Sequence, residues 1–443
     1  MGKIVRRLSS SQIIILGFAG VIFLGSLLLM LPFATQDGRG AAFADALFTS
    51  TSAVCVTGLV VQDTAAYWTG FGQAVILMLI QIGGMGVITV AAAIFIASGK
   101  KISLKQRSTM QEALSAHKVG GIVRLTGFII KMTICFELFG AVLMFPVFSR
   151  EFGPGKGLWY SVFHSISAFC NAGFDLMGCR TPYSSLTHFA ANPVINLVIM
   201  ALIVIGGIGF ITWDDVKTKG LHIHKYRMQS KVILMTTFCL ILFPALYFLA
   251  FEFSDGPLGE RILNALFQSV TPRTAGFNTV NLRDISETGI AIMILLMLVG
   301  GSPGSTAGGM KTTTLAVLFS TAISVFRYRE HTHFFGRRID DDTVRNGVAV
   351  LIMYMTLFLG GGLLISRIEG LPILDCLYET ASAVATVGLT LGITPELSLS
   401  SRTILVLLMY IGRVGGLTLI FAASSGGRKG NTSRLPQEKL TVG

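Results

Sequence analysis

Four glycines, Gly58, Gly173, Gly276 and Gly388, each end a short, half-polar phrase. The phrases are SAVCVTGL, SAFCNAGF, VTPRTAGF and SAVATVGL, and their glycines are spaced by 115, 103 and 112 residues. Glycine accepts backbone angles that are closed to other residues, and it has no side chain to obstruct a narrow passage. Main-chain oxygens beside such glycines can replace the hydration shell of a cation when they form a ring. The phrases therefore predict cation coordination by backbone carbonyls.

The predicted coordinating residues are the last three before and at each glycine: Val56, Thr57, Gly58, Asn171, Ala172, Gly173, Thr274, Ala275, Gly276, Thr386, Val387 and Gly388. None of them is acidic, so the side-chain rings typical of divalent-cation pores are missing and K⁺ is the leading ion. An aromatic residue lies ten residues before the glycine in three copies, but Phe267 lies nine before Gly276. The intervening residues suit a half-helix that enters the membrane and turns back.

The segment LVGGSPGSTAGGMKTTT, residues 298–314, is the second candidate site. In a helix interior Pro costs about 3 kcal/mol and each Gly about 1 kcal/mol, so this stretch is predicted to unwind. We expect a flexible loop that crosses the ion path as a gate, with the Ser302, Ser305 and Thr306 hydroxyls stabilising it in water. The alternative is a helix kink without a gating role. The predicted gate residues are Gly300, Gly301, Ser302, Pro303, Gly304, Ser305, Thr306, Ala307, Gly308, Gly309, Lys311 and Arg413.

Arg413 stands where the other copies have Gly84, Gly207 and Gly301. A charge at mid-membrane costs a few kcal/mol, roughly, so it should face protein or water. We expect it either to place a positive charge beneath the coordination site or to hydrogen-bond the carbonyls of the loop and hold it shut. An ion pair with an acidic residue is the alternative. For Lys311, the alternative is that it reaches the cytosolic interface.

Several polar residues lie close to the phrases. Arg273 is expected behind the coordination site or, alternatively, exposed at its mouth; Asn171 and Asn278 are expected to brace their loops. Asp63 and Asp175 are candidates for attracting cations at the outer mouth, with a solvated loop carboxylate as the alternative. The histidines have no Cys or carboxylate partners at ligand spacing, so no metal site is assigned beyond the transported K⁺.

The composition places these phrases in a membrane. Of 443 residues, 52% are hydrophobic and 13% charged, with a mean hydropathy of +0.69, which is outside the range of soluble domains. Apolar runs that approach or exceed membrane-spanning length recur, and the sixth and seventh are predicted to be halves of one broken span. The first is expected to be a retained helix. The runs are 12–33, 73–98, 125–148, 193–213, 232–251, 289–299, 313–325, 347–365 and 403–423.

The net charge of +12 lies mainly in five segments: the N-terminus before residue 8, three linkers at 99–124, 217–231 and 327–345, and the tail after residue 427. By the positive-inside rule all five are cytoplasmic, as are both termini. Every unit between them therefore crosses the membrane an even number of times. The basic linkers suit anionic lipid or an acidic protein, and nucleic acid is not an expected partner.

A second phrase follows each glycine by 24 to 33 residues: IGGMG, IGGIG, VGGSPG and IGRVG. Its small residues predict close backbone packing. Each unit thus consists of a span, a re-entrant pore segment and a span. The predicted fold is an all-α polytopic membrane protein, with four tandem span/pore-loop/span repeats, eight transmembrane helices, around one pseudo-fourfold pore. The predicted divisions are repeat 1 at 1–99, a cytoplasmic linker and repeat 2 at 100–222, repeat 3 with the broken span at 223–326, repeat 4 at 327–423 and a cytoplasmic tail at 424–443.

Single-glycine filters in four non-identical repeats, a Gly-rich second span in the third and an Arg in the fourth resemble the Trk/Ktr/HKT superfamily of cation transporters. The resemblance covers residues 12–423, and the eight-span layout is most similar to the membrane subunit of bacterial Ktr systems. It implies K⁺ uptake, commonly stimulated by Na⁺, in the bacterial plasma membrane. It also implies a homodimer with one pore per subunit and a cytoplasmic RCK-type regulatory partner that binds the nucleotide, with no cofactor in this chain. At the first filter position, Gly58 is the residue type that the resemblance associates with K⁺ transport.

Two other classes of function are alternatives to a cation pore. A coupled secondary transporter of another small solute would use broken spans of inverted repeats. Here every linker is basic, so the repeats run in parallel and favour a pore. A membrane enzyme is not expected, because the spans contain no HExxH, GxSxG or paired catalytic carboxylates.

Overall fold

The structure is a computed structural model that describes residues 9–97, 102–114, 121–416 and 418–419. The basic residues before the first span, several in the first linker and the tail predicted at 424–443 lie outside these ranges. Within them the regular secondary structure is helical apart from one small hairpin in the third basic linker. The hairpin pairs β1 (His333–Phe334) with β2 (Arg337–Arg338), antiparallel.

The first span of each unit is one long apolar helix. These helices are α1 (Ser10–Leu29), α6 (Ile122–Phe152), α10 (Met228–Tyr247, continued by a π-helical turn Phe248–Glu252) and α14 (Asp341–Glu369). Only 28% to 33% of the most apolar window of each is buried within the chain, so the remaining apolar surface suits lipid. Two of the four begin at a side-chain cap: Ser9 and Gln12 form a reciprocal capping box on α1, and the Asp340 side chain accepts from Thr343 N at the start of α14.

A short half-helix follows each first span. The four are α2 (Phe43–Cys55), α7 (Pro154–Phe169), α11 (Leu258–Val270) and α15 (Ile373–Val384). Each ends two or more residues before its phrase glycine, as the sequence predicts for the re-entrant segments. Their C-terminal turns are fully buried and rich in Ser and Thr, which allows buried hydroxyl groups to bond to backbone atoms.

The second spans are broken in more units than predicted. In units one and two the breaks separate α3 (Gly70–Met85) from α4 (Val87–Ala97) and α8 (Pro193–Gly207) from α9 (Phe210–Lys219), with bends of 94° and 96°. The bends occur at Gly86 (φ +85°) and Gly209 (φ +90°), the last glycines of IGGMG and IGGIG. Close packing was therefore only part of the role of these phrases, because their final glycine also ends a helix.

In unit three the second span consists of α12 (Glu287–Leu298) and α13 (Thr312–Phe326), joined by an irregular loop. In unit four α16 (Leu399–Val414) ends at Gly415 (φ +88°). By length and apolar composition alone, four helices of the described chain are long and apolar enough to cross a membrane, or six if each bent pair is one span. In units three and four, the place of the bent pair is taken by the split span α12–α13 and by α16, respectively. A short helix in the first basic linker, α5 (Leu104–Ala113), lies between units one and two along the described chain.

The units pack in a closed ring. Half-helices α7, α11 and α15 each pack against the second span of the preceding unit, namely α3, α8 and α12. Half-helix α2 of the first unit packs against α16 of the last unit, which closes the circle. The order around the axis is therefore one, two, three, four, and units two and four lie on opposite sides.

Candidate cation pathway

The backbone has the same unusual conformation in all four phrases. Val56, Asn171, Thr274 and Thr386 have positive φ angles of 57°, 60°, 64° and 53°. The residue after each of them has a negative φ angle, and the phrase glycine that follows again has a positive φ angle. Left-handed backbone is uncommon for non-glycine residues and roughly costs 1–3 kcal/mol, so four repetitions at one position mark a site that the surrounding packing enforces.

Hydrogen bonds explain where the carbonyls of this segment point. The N–H of the residue before each glycine bonds back to its own half-helix, as in Thr57 N to Ser52 O at 2.8 Å and Val387 N to Ser382 O at 2.8 Å. A trans peptide holds its N–H and C=O in opposite directions. The carbonyls of Val56 and Thr386, which share these peptide groups, therefore point away from the half-helices.

The four glycines form a ring through their contacts with neighbouring units. A Cβ atom added to Gly58 would lie 2.5 Å from Ala172 O, and one added to Gly173 would lie 2.7 Å from Ala275 O. Gly276 faces Val387 O in the same way, and Gly388 faces Thr57 O, completing the circle. The residues predicted from the four phrases thus lie together, and only glycine fits at the four contact points.

The irregular spacing in copy three has a structural cause. Ala275 N bonds to Thr271 O, four residues earlier, whereas the equivalent bonds in the other copies span five residues. The turn between half-helix and glycine is one residue shorter, which accounts for Phe267 lying nine residues before Gly276.

Polar residues around the ring mainly brace it. The Asn171 side chain lies 3.3 Å from Thr274 Oγ1 and joins copies two and three. Arg273 is buried behind the ring and donates to Thr237 Oγ1 at 3.3 Å, so it is not an exposed charge at the mouth. His164 Nε2 accepts from Leu176 N at 3.3 Å. Asn278 donates to Val280 O at 3.2 Å within its own loop.

The two aspartates that are candidates for attracting cations accept hydrogen bonds from backbone N–H groups. Asp63 is buried, and its carboxylate accepts from Ala65 N at 2.9 Å and from Tyr183 N at 2.8 Å. Asp175 accepts from Met177 N at 2.8 Å. A solvated loop carboxylate is the wrong description for Asp63, because it ties the outer loop of unit one to that of unit two.

The loop of unit three crosses beneath the ring. Thr306 Oγ1 donates to Phe169 O at 3.1 Å, at the end of the half-helix of unit two. A Cβ added to Gly308 would contact the Thr386 side chain of unit four, and one added to Gly309 would lie 2.9 Å from Ala385 O. Because units two and four are on opposite sides of the ring, a loop that touches both spans the axis.

The loop hydroxyls stabilise the loop through bonds to protein atoms, whereas the sequence predicts that they do so in water. Ser302 and Thr306 are fully buried. Ser302 Oγ bonds to Thr312 Oγ1 at 3.0 Å, and Ser305 Oγ donates to Ser302 O at 2.7 Å. The backbone adds bonds from Ser302 N to Gly207 O at 2.9 Å and from Phe210 N to Gly304 O at 2.7 Å. These protein contacts replace water because the loop lies within the bundle.

Two cationic side chains bond to the loop. Lys311 Nζ donates to Ala307 O at 2.8 Å and to Gly308 O at 3.2 Å, so it folds onto the loop and does not extend to the cytosolic interface. Arg413 donates through one nitrogen to Thr306 O and through the other to Gly83 O and Gly84 O, the last at 3.2 Å. Three consecutive loop carbonyls therefore accept bonds from cations.

Arg413 links unit four to the loop and to unit one, as the carbonyl-bonding alternative for this residue predicts. Among the described residues it makes no ion pair, which argues against the acidic-partner alternative. A cavity of about 260 Å³ adjoins the loop and is lined by Arg413, Lys311, Glu112 and Tyr354, among others. That volume exceeds the share of several water molecules.

The same architecture is found in known proteins. The model of the TrkH family, described as cation transport protein, matches residues 9–431. The chain belongs to the TrkH family of cation transport proteins. The family resemblance drawn from the four phrases is therefore confirmed, together with the predicted membrane-transporter fold.

Relatives extend the comparison over nearly the whole chain. It is 38% identical to the potassium/sodium uptake protein NtpJ of Enterococcus hirae over 451 residues, covering 100% of this chain and 99% of that protein. It is also 38% identical to the Ktr system potassium uptake protein B of Bacillus subtilis over 422 residues, covering 94% and 93%. The crystal structure of the potassium transporter TrkH from Vibrio parahaemolyticus has the same fold, with a TM-score of 0.73 at 21% identity and coverage of 93% and 84%.

Proposed function

We propose that this TrkH-family chain takes up potassium across the membrane through a selective pore at the ring of four glycines. The observation that carries the proposal is the closed circle of contacts from Gly58 through Gly173, Gly276 and Gly388 back to Thr57 O. Carbonyl oxygens beside these glycines would replace the water around a K⁺ ion, and the twelve residues named from the phrases supply them. The buried Thr57 and Thr386 hydroxyls have no hydrogen-bond partner in the described chain, and the Thr386 hydroxyl lies between the ring and Gly308 of the loop.

The loop at 300–309 is proposed as the gate of this pore, with Lys311 and Arg413 holding it across the axis. Its contacts with Phe169 O and Thr386 on opposite sides of the ring support this role. The cavity beside it offers room for the loop to move when these bonds break. Cationic donors also place positive charge where a leaving cation must pass, which disfavours tight binding there.

The proposed setting is a bacterial plasma membrane with both termini in the cytoplasm. The name of the Enterococcus hirae protein includes sodium, which supports Na⁺ as an activator or second ion. The Ktr proteins are named as parts of a system, which supports a second component. We propose a homodimer with one pore in each subunit and an RCK-type cytoplasmic partner that carries the nucleotide. We further propose that the units follow the predicted divisions and that the chain has no catalytic activity of its own.

Rubidium uptake into vesicles that contain the purified chain tests the pore. The change Gly58→Ser places a side chain against Ala172 O and is expected to relax discrimination of K⁺ over Na⁺. Gly38→Ser is the matched control, because Gly38 has a similar positive φ of 68° with no atom within 4 Å of an added Cβ. Unchanged selectivity in Gly58→Ser would reject the ring as the filter.

Deletion of residues 302–306 tests the gate in the same assay. The deletion removes the contacts to Gly207, Phe169 and Arg413 and is expected to raise rubidium flux in the absence of any partner. Flux equal to that of the intact chain would contradict a gating role, while the Gly58→Ser result would still decide the filter.

A further inference from the structure

Two serines on the half-helices bond to the ring glycines themselves. Ser52 Oγ accepts from Gly58 N at 3.1 Å, and Ser382 Oγ accepts from Gly388 N at 2.9 Å. Both serines are fully buried and lie six residues before their glycine. We propose that Ser52 and Ser382 are positioning residues that aim two carbonyls at the ion and thereby set selectivity, an inference that rests on the proposed filter.

Peptide geometry connects each hydroxyl to a carbonyl that it does not touch. The N–H of Gly58 belongs to the same planar peptide group as the C=O of Thr57, and the two groups point in opposite directions. A hydroxyl that holds the N–H on the half-helix side therefore directs Thr57 O away from that helix. Ser382 does the same for Val387 O through the N–H of Gly388.

The two oriented oxygens belong to the ring. Thr57 O is the atom that an added Cβ on Gly388 would contact, and Val387 O is the atom that one on Gly276 would contact. They lie at the boundaries of unit four with units one and three. Glycine tolerates rotation of its flanking peptide groups. If no hydrogen bond holds the N–H of the glycine, the carbonyl of the preceding residue has no fixed direction. The serine hydroxyl supplies the missing restraint.

Units two and three use their hydroxyl differently. Ser167 Oγ donates to Phe174 O at 2.7 Å, and Thr271 Oγ1 donates to Phe277 O, so each holds a carbonyl one residue beyond the glycine. The glycine angles follow the same division: φ is 96° and 94° in units one and four but 69° and 82° in units two and three. The fourfold ring is thus braced in two ways, and among the described side chains only Ser52 and Ser382 bond to the peptide group before the glycine.

The test measures how strongly K⁺ and Na⁺ each compete with rubidium for uptake by the Ser52→Ala and Ser382→Ala variants. The readout is the ratio of the K⁺ effect to the Na⁺ effect. Losing one hydrogen bond of ordinary strength is expected to lower the ratio about three- to tenfold. Ser50→Ala is the matched control: Ser50 is a buried serine of the same half-helix, but its hydroxyl donates to Ile22 O at 2.7 Å, away from the ring. Ser52→Thr keeps the hydroxyl and is expected to keep the ratio.

A merely structural role for these serines would lower protein yield or total flux without moving the ratio. An unchanged ratio in both alanine variants would overturn the inference, as would an equal shift in Ser50→Ala. Gly58→Ser, measured alongside, separates the two proposals. If Gly58→Ser shifts the ratio and the serine variants do not, only the positioning role fails; if Gly58→Ser also leaves it unchanged, the filter itself fails.

Discussion

Arg413 on α16 donates directly to the main-chain oxygen of Thr306, 107 residues earlier in the chain. The same guanidinium bonds to Gly83 O and Gly84 O of unit one, so one side chain connects three units beneath the ring. A planar guanidinium with five donors can satisfy several carbonyls at once, which a lysine ammonium at the same place would do less rigidly.

We expect Arg413→Gln to raise rubidium flux through the partner-free chain. Removing charged hydrogen bonds worth about 1.5–3 kcal/mol each shifts the loop toward its displaced state by about tenfold or more. The measurement is initial uptake into vesicles at equal protein density. Arg367→Gln, an exposed arginine on α14, serves as control and should leave flux unchanged. Equal or lower flux in Arg413→Gln would argue that this residue does not hold the loop shut.

Lys311→Met should have a smaller effect in the same direction. Methionine fills the space of the lysine stem but cannot donate to Ala307 O and Gly308 O, which lie 2.8 and 3.2 Å from the ammonium. The loop keeps its bond from Arg413, so we expect flux to rise about threefold. The double variant with Arg413→Gln should exceed either single change, because both side chains act on one loop. A double variant no more active than Arg413→Gln would place Lys311 outside the gate.

Sequence spacing predicted that the four phrases lie together, because each places a half-helix shortly before a glycine; the left-handed residue two positions before each glycine was not predicted. The loop was also predictable, since Pro303 and its neighbouring glycines cannot continue a helix. The breaks at Gly86 and Gly209 also have a signal in the sequence, because both glycines align with Pro303 of the broken span.

Other features depend on contacts between distant residues. Ser302 and Thr306 bond to protein groups because Gly207 and Phe169 of another unit lie beside them, a fact that local composition does not contain. The burial of Asp63 likewise depends on Tyr183, 120 residues later. The role of Ser52 was overlooked although it recurs as Ser382 six residues before the glycine, a repeat that could have suggested it.

Asp63→Asn is expected to destabilise the protein without changing its apparent affinity for rubidium. Asparagine can still accept from Ala65 N, but its amide nitrogen cannot accept from Tyr183 N, so one part-buried donor loses its partner. The expected cost is about 1–3 kcal/mol, seen as a lower unfolding temperature in detergent. If Asp63 instead attracted cations, the variant would keep its unfolding temperature and need more rubidium for half-maximal uptake, most clearly at low ionic strength.

Gly388→Ala tests whether close approach in the ring, and not backbone conformation alone, requires glycine. An added Cβ at this position meets Thr57 O of unit one, and φ is +94°. Gly38→Ala shares a positive φ of 68° but meets no atom within 4 Å. Both variants bear the cost of a left-handed alanine, roughly 1 kcal/mol or more, whereas only Gly388→Ala must displace a carbonyl of the ring.

We therefore expect Gly388→Ala to lose most rubidium uptake, by about tenfold or more, while Gly38→Ala retains it. Gel filtration of both variants shows whether each still folds, and uptake is compared only at equal recovery. A similar loss in both would assign the effect to backbone strain, and full uptake in Gly388→Ala would mean that the ions do not pass through the ring. The contact between Gly388 and Thr57 O closes the circle of four units, so a defect there is expected to affect the pathway at its narrowest point.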